Sequence, residues 1–184
     1  MCSCFPEQPF VTELDECHVL VEFPEMSSYG FTTPIGTCAV SWQNEEITGF
    51  QLPPVEVVSD EAPAWITQVM ERVQRHLRGD LQDFSDLPFA WNAVSEFQQK
   101  IYMAALRVKA GEVQSYGRLC AVAGFPASSA RAAGTALGQN PWPLLVPCHR
   151  FVGANGKMVG FSAPGGIQTK LRLLVLEGSE MFPE

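Results

Sequence analysis

The 184-residue chain is 46% hydrophobic and 17% charged, which suits one folded domain or two small ones and excludes a disordered polyelectrolyte. Its longest apolar runs fall far short of the roughly 18 to 20 residues of a membrane helix. The formal net charge of −8 argues against a general polyanion binder, yet it is uneven: through Pro88 three arginines face 15 acids, and from Phe89 onward nine cations face five acids.

The opening "MCSCFPEQPFVTELDE" lacks the basic-then-apolar order of a secretory leader. An intracellular protein is expected, in the cytoplasm or, in a eukaryote, the nucleus. Six cysteines are too few for a disulfide scaffold and are expected to stay reduced. Cys2 and Cys4, with Cys17 and His18, lack the paired C-x-x-C spacing of a strong zinc site, so no metal is expected.

"TTPIGTCAVSWQNEEITGFQLP" alternates weakly and breaks at Asn44 to Glu46, which predicts a hairpin. "DEAPAWITQVMERVQRHLRGD" places Trp65, Ile66, Val69, Met70, Val73 and Leu77 on one helical stripe closed by Gly79. "DFSDLPFAWNAV" reads as loop and carries the change of charge. The expected boundary near residues 80 to 95 divides an acidic α+β domain, residues 1–90, from a second domain, residues 91–184.

A helix from about Ser95 turns Phe97, Ile101, Ala104, Ala105 and Val108 inward and is predicted to end at Gly111. Two short helical patterns follow, "YGRLCAVAG" and "SSARAAGTALGQN", around a glycine turn, as in a helix-turn-helix unit. Asn155-Gly156 suits a tight hairpin turn. "IQTKLRLLVLEG" predicts a final helix burying Ile167, Leu171, Leu174 and Val175, capped by Gly178.

The second helix of the pair offers Ala, Gly and Thr around a single long cation, Arg131. Direct reading of base edges needs longer side chains. Small residues suit either tight packing inside the domain or close approach of the helix to a narrow minor groove, with Arg131 entering the duplex. In "PLLVPCHRF", Cys148 stands beside His149 and Arg150, with Asn140 in the preceding turn. It reads as a nucleophile, a metal ligand or an inert buried thiol; cationic and hydrogen-bonding neighbours are expected to lower its pKa toward neutrality.

"SYG" at 115–117, "ARAAG" at 130–134, "NPWPLLVPCHR" at 140–150, "GANGKMVGF" at 153–161 and "KLRLLVLEG" at 170–178 occur in the order found in O6-alkylguanine-DNA alkyltransferases. The chain resembles that family strongly from Phe97 to Gly178 and more weakly before it. The resemblance implies an α+β fold with a ribonuclease-H-like first domain and a mostly helical, winged-helix-like second domain carrying the helix-turn-helix. It implies stoichiometric, irreversible transfer of the O6-alkyl group of guanine, and of O4-alkylthymine, to Cys148. His149 would take the thiol proton through a water, Glu177 would orient and charge His149, Tyr116 would offer its hydroxyl to the leaving guanine, and Asn140 would hold the turn beside the cysteine.

Ser115, Tyr116, Ala130, Arg131, Ala132, Gly134 and Thr135 would contact DNA, and Pro143, Val146, Phe161, Ser162 and Lys170 would form the pocket for a flipped base. The implied partner is double-stranded DNA containing O6-alkylguanine, bound through the minor groove by a monomer, with no cofactor and no membrane. Phe151 and Phe161 depart from the family's usual Val and Tyr, and "SAPGGIQT" is about two residues longer than the usual loop. Two rival readings are a Cys148-His149-Glu177 hydrolase and a module that binds alkylated bases without transfer.

Overall fold

The structure is a computed structural model that describes residues 26–55 and 61–179. The candidate soft-metal residues Cys2, Cys4, Cys17 and His18 lie outside them. The fold is mixed α and β. Strands β1 (Ser27–Thr33), β2 (Gly36–Gln43) and β3 (Glu46–Gln51) form an antiparallel meander in that order, with Tyr29 opposite Val40 and Val40 opposite Phe50.

The expected break at Asn44 is a tight turn in which Asn44 and Glu45 take φ of 50° and 62°, the left-handed geometry that a two-residue hairpin requires. A second hairpin at Pro34-Ile35, which the weak alternation does not reveal, adds β1. Helix α1 (Ala64–His76) packs on the sheet through Ile66, Val69 and Val73, each worth about 1.5 to 3 kcal/mol of burial, and continues the buried stripe to His76. Trp65 and Met70 are only half-buried.

Strand β3 does not end the structure. Its Ile47 amide donates to Pro88 at 2.6 Å and its carbonyl accepts from Ala90 at 3.0 Å and from the Trp142 indole at 2.8 Å. Phe50 donates to Pro141 at 2.9 Å. These bonds tie the turn that carries Cys148 to the first half of the chain, and one buried cluster runs from Phe31 to Leu173.

Helix α2 (Glu96–Ala105) starts in a capping box between Ser95 and Gln98. It stops six residues before Gly111, because the chain tightens into bonds from Arg107 to Ala104 and from Val108 to Ala105. Gly111 matters for another contact, since at φ +85° it lies where an added Cβ would come 3.0 Å from the Glu177 carbonyl. Helix α3 (Tyr116–Val122) is capped by the Ser115 hydroxyl, and α4 (Ala130–Gly138) follows a single 3₁₀ turn, so the expected helix pair forms.

Two further expectations are corrected. Asn155-Gly156 lies in a 3₁₀ turn, and no described strand follows it; β5 (Phe151–Val152) pairs in parallel with β4 (Gln114–Ser115) instead of closing a hairpin. Helix α5 (Ile167–Leu176) leaves Ile167 38% and Val175 52% exposed, while Leu171 is half-buried. Its buried face is Lys170, Leu173, Leu174 and Glu177, the spacing i, i+3, i+4, i+7. That stripe carries a charge at each end, so a search for apolar periodicity rotates the helix away from it. No described helix is long and apolar enough to cross a membrane.

Candidate active site

Cys148 opens a short 3₁₀ turn, Cys148–Arg150, whose three side chains are all buried. The preceding turn is held by Asn140, whose side-chain amide donates to the Val146 carbonyl at 2.9 Å while its oxygen accepts from the Trp142 amide at 3.0 Å. Leu144 takes φ of +77° within that turn, a left-handed conformation that costs a branched residue energy and is sustained by the surrounding bonds.

The 3₁₀ turn brings the adjacent Cys148, His149 and Arg150 into one site. His149 Nε2 lies 2.8 Å from Glu177 Oε1, at the end of α5. Arg150 grips the same carboxylate with two parallel bonds, Nε to Oε2 at 2.9 Å and Nη2 to Oε1 at 2.8 Å, and sends Nη1 to the Val108 carbonyl at 2.6 Å. Burial alone would raise the Glu177 carboxyl, but His149, His76 and Arg150 hold it far below the ordinary carboxylate range.

An ionised carboxylate only accepts, so His149 carries its proton on Nε2 and presents a bare Nδ1. That Nδ1 is buried and has no hydrogen-bond partner among the described residues. Burial, against the pull of Glu177, lowers the His149 pKa and keeps the ring neutral at pH 7.

The thiol differs from the sequence-based expectation. Burial raises the Cys148 pKa and outweighs the hydrogen bond from Asn140 and the field of Lys170, both of which lower it. At 5% exposure the cost of charging sulfur away from water exceeds what its neighbours return. The resting pair is therefore a protonated thiol and a neutral imidazole with a free acceptor nitrogen, an arrangement suited to removing the thiol proton as a new bond to sulfur forms.

Lys170 is buried, donates to the Phe151 carbonyl and has its own pKa lowered by desolvation. Val146 is buried and Pro143 half-buried, bridged to each other in the same turn.

A groove of about 900 Å³ opens beside this cluster. Ser115, Tyr116, Ala130, Arg131, Gly134 and Thr135 line it, together with Phe161 and Ser162 from the loop before α5. Arg131 and Thr135 are exposed. Gly134 faces the Tyr116 ring, and a Cβ added there would make an ordinary contact with it at 3.8 Å. Tyr116 stands between groove and thiol: its ring centroid is 6.4 Å from that of Phe151, and burial and then the Cys148 charge raise its hydroxyl pKa.

Ala132, Pro143, Val146 and Lys170 are not on the groove wall, and neither are Asn140, Cys148, His149 and Glu177; Pro143 and Val146 lie in the turn that leads to Cys148, and Lys170 lies in α5.

Three contributors have roles that the sequence motifs do not reveal. Arg150, which lies in the motif that ends in "PCHR", is the second anchor of Glu177. Tyr102, buried and bonded to the Ala136 carbonyl at 2.7 Å, has its pKa pushed up to about 12 by burial and by the Cys148 charge. His76 also reaches Glu177 Oε1, at 3.0 Å. Its signal in the sequence is a histidine on the apolar stripe of α1, three residues after Val73.

Residues 96–179 match the family described as 6-O-methylguanine DNA methyltransferase, DNA binding domain. A methylated-DNA-protein-cysteine methyltransferase of Mycobacterium leprae is 31% identical over 157 residues, covering 82% of this chain and 91% of the relative. One of Methanosarcina acetivorans is 30% identical over 155 residues, covering 81% and 96%. The crystal structure of Mycobacterium tuberculosis OGT in complex with DNA superposes with a TM-score of 0.69 at 30% identity, covering 82% of this chain and 92% of that one. With a relative at this identity matched over nine-tenths of its length, the chain belongs to the methylated-DNA-protein-cysteine methyltransferase family.

Proposed function

We propose that the protein repairs alkylated DNA directly, moving the O6-alkyl group of a guanine flipped out of the duplex onto Cys148. The observation that carries this reading is the neutral His149, held at Nε2 by Glu177 with a bare Nδ1, next to a buried thiol and behind the Arg131-Tyr116 groove. The Cys148 sulfur attacks the alkyl carbon, the S–C bond forms and the C–O6 bond breaks. The thiol proton passes through a water to His149 Nδ1. The guanine leaves with its electron pair, takes a proton from the Tyr116 hydroxyl and returns to its keto form, and the proton held on His149 then passes through water to the tyrosinate, so both residues end neutral.

The thioether has no easy leaving route, so each molecule acts once. O4-alkylthymine, which presents the same alkyl–oxygen bond, is a second substrate.

The protein enters the minor groove as a monomer inside the cell. The small side chains of α4 support this, since Ala130, Ala132 and Gly134 allow close backbone approach and the exposed Arg131 is long enough to fill the vacated stack. Residues 1–90 form a ribonuclease-H-like supporting domain and residues 91–184 a mostly helical, winged-helix-like domain. The extended loop with Ser162 at the groove rim tunes tolerance for bulky alkyl groups. Equal relative rates on methyl- and benzylguanine after removal of Ala163-Pro164 would refute that last point.

The test is incubation with a duplex carrying a radiolabelled O6-methylguanine, followed by intact-protein mass measurement. Gain of one methyl group, abolished in Cys148→Ser, is the expected result. Tight lesion binding at unchanged mass selects a recognition module instead, and turnover beyond one equivalent selects a hydrolase.

A further inference from the structure

His76 closes α1, in the half of the chain that precedes the matched DNA-binding domain, and is 1% exposed. Gly79, at φ +92°, reverses the chain after the helix and brings residues 80–84 back across the imidazole. The Gln82 backbone amide then donates to His76 Nδ1 at 3.0 Å. Phe84 packs its ring 5.2 Å from the imidazole centroid. On the other side Nε2 lies 3.0 Å from Glu177 Oε1, across 101 positions of sequence.

These contacts assign the proton. A backbone amide can only donate, so Nδ1 is a bare acceptor and the hydrogen sits on Nε2, directed at the carboxylate. Nε2–H is thus the donor to Glu177, and the Gln82 amide fixes that choice of nitrogen. Glu177 Oε1 accepts from His76, His149 and Arg150 together, while Oε2 accepts from Arg150 alone. The oxygen that orients His149 is shared with a residue from the other half of the chain.

We infer that His76 is a positioning residue for alkyl transfer, through which the acidic first half of the protein holds Glu177, and hence the His149 imidazole, in its working orientation. The inference rests on the alkyl-transfer reading above. Two consequences follow from sharing one oxygen. Without the Nε2 donor, Glu177 is free to rotate on the Arg150 grip, and transfer slows. Oε1 also becomes a stronger acceptor toward His149, so the imidazolium is better stabilised and the acid limb of the transfer rate moves to higher pH.

Two substitutions separate this from packing, since both shed the same ring contact with Phe84. His76→Asn puts an amide near the Nδ1 position, within reach of Gln82 and short of Glu177. His76→Gln puts a donor near the Nε2 position. Single-turnover methyl transfer would be measured between pH 5 and 9, alongside lesion-duplex affinity and near-ultraviolet circular dichroism.

Expected is transfer about tenfold slower in His76→Asn with an upward-shifted acid limb and unchanged duplex affinity, and near-normal behaviour in His76→Gln. Wild-type rates and limb in His76→Asn, or equal slowing of both variants without a shifted limb, would overturn the inference. ¹⁵N NMR of the unaltered protein decides the same point where a variant fails to fold: a proton on His76 Nε2 is expected, and one on Nδ1, or an imidazolium at pH 7, overturns it. A wild-type protein that gains no methyl group defeats the parent reading, and this one with it, whereas normal wild-type transfer isolates any failure to His76.

Discussion

His149 donates from Nε2 to Glu177 Oε1 at 2.8 Å, and its other nitrogen is buried with no hydrogen-bond partner among the described residues. This bond sets which nitrogen of the ring can act as base. It also determines how the reaction responds to pH.

Burial lowers the His149 pKa and raises that of Cys148. Below the lowered histidine value the ring is protonated and cannot accept, so transfer falls with acid. That limb lies below the ordinary imidazole value of about 6.5, and the rate stays flat through neutrality beyond the ordinary thiol value of about 8.5. Single-turnover rates from pH 5 to 9 check this; a rate climbing steadily from pH 7 to 9 would mean that a free thiolate is the reactant.

Glu177→Gln keeps the volume and removes the charge. It leaves Arg150 buried against a neutral amide, at a cost of about 3 to 5 kcal/mol, and slows transfer by about 10² to 10⁴. The Glu177 carboxyl is depressed in the folded state, so its contribution is complete above the unfolded value of about 4.3 and is lost as pH falls below it toward the folded value. Urea midpoints at pH 7 and pH 4 test the sign: the wild type should lose more stability between them than the variant does.

Asn140→Ala strands the Val146 carbonyl and the Trp142 amide inside the protein and removes a hydrogen bond to the Cys148 thiol. About 2 kcal/mol or more of stability should go, with a thiol harder still to ionise and slower transfer. Asn140→Asp keeps the acceptor for Trp142 but sets a carboxylate beside the sulfur, so its loss in rate should exceed its loss in denaturation midpoint.

Arg131→Ala changes an exposed side chain on the groove wall. Stability should move by no more than about 0.5 kcal/mol. Transfer from duplex DNA should fall about tenfold or more while transfer from free O6-benzylguanine is unchanged. Equal losses on both substrates would place Arg131 in the chemistry instead of in DNA handling.

The helix pair around "GFPA", the helix start near Ser95 and the turn at Asn44 are legible in the sequence because each rests on contacts within a few residues. The order of motifs around Cys148 is legible too, as is its adjacency to His149. Less legible is the face of α5, since Lys170 and Glu177 are charged residues on a buried stripe and hydropathy assigns them to water. The thiol pKa runs against its sequence context for a related reason: neighbours in sequence suggest stabilisation of charge, while the depth that opposes it depends on what the rest of the chain places around the sulfur.

By itself, then, the sequence determined most of the local elements, the order of motifs around Cys148 and the small-residue character of α4, all matters of short-range order and residue chemistry. Only the tertiary structure decided that Glu177 collects donors from Arg150, His149 and His76. Those groups come from positions as much as 101 residues apart, and their charge can be buried only because folding brings them to one point, where each offsets the desolvation of the others.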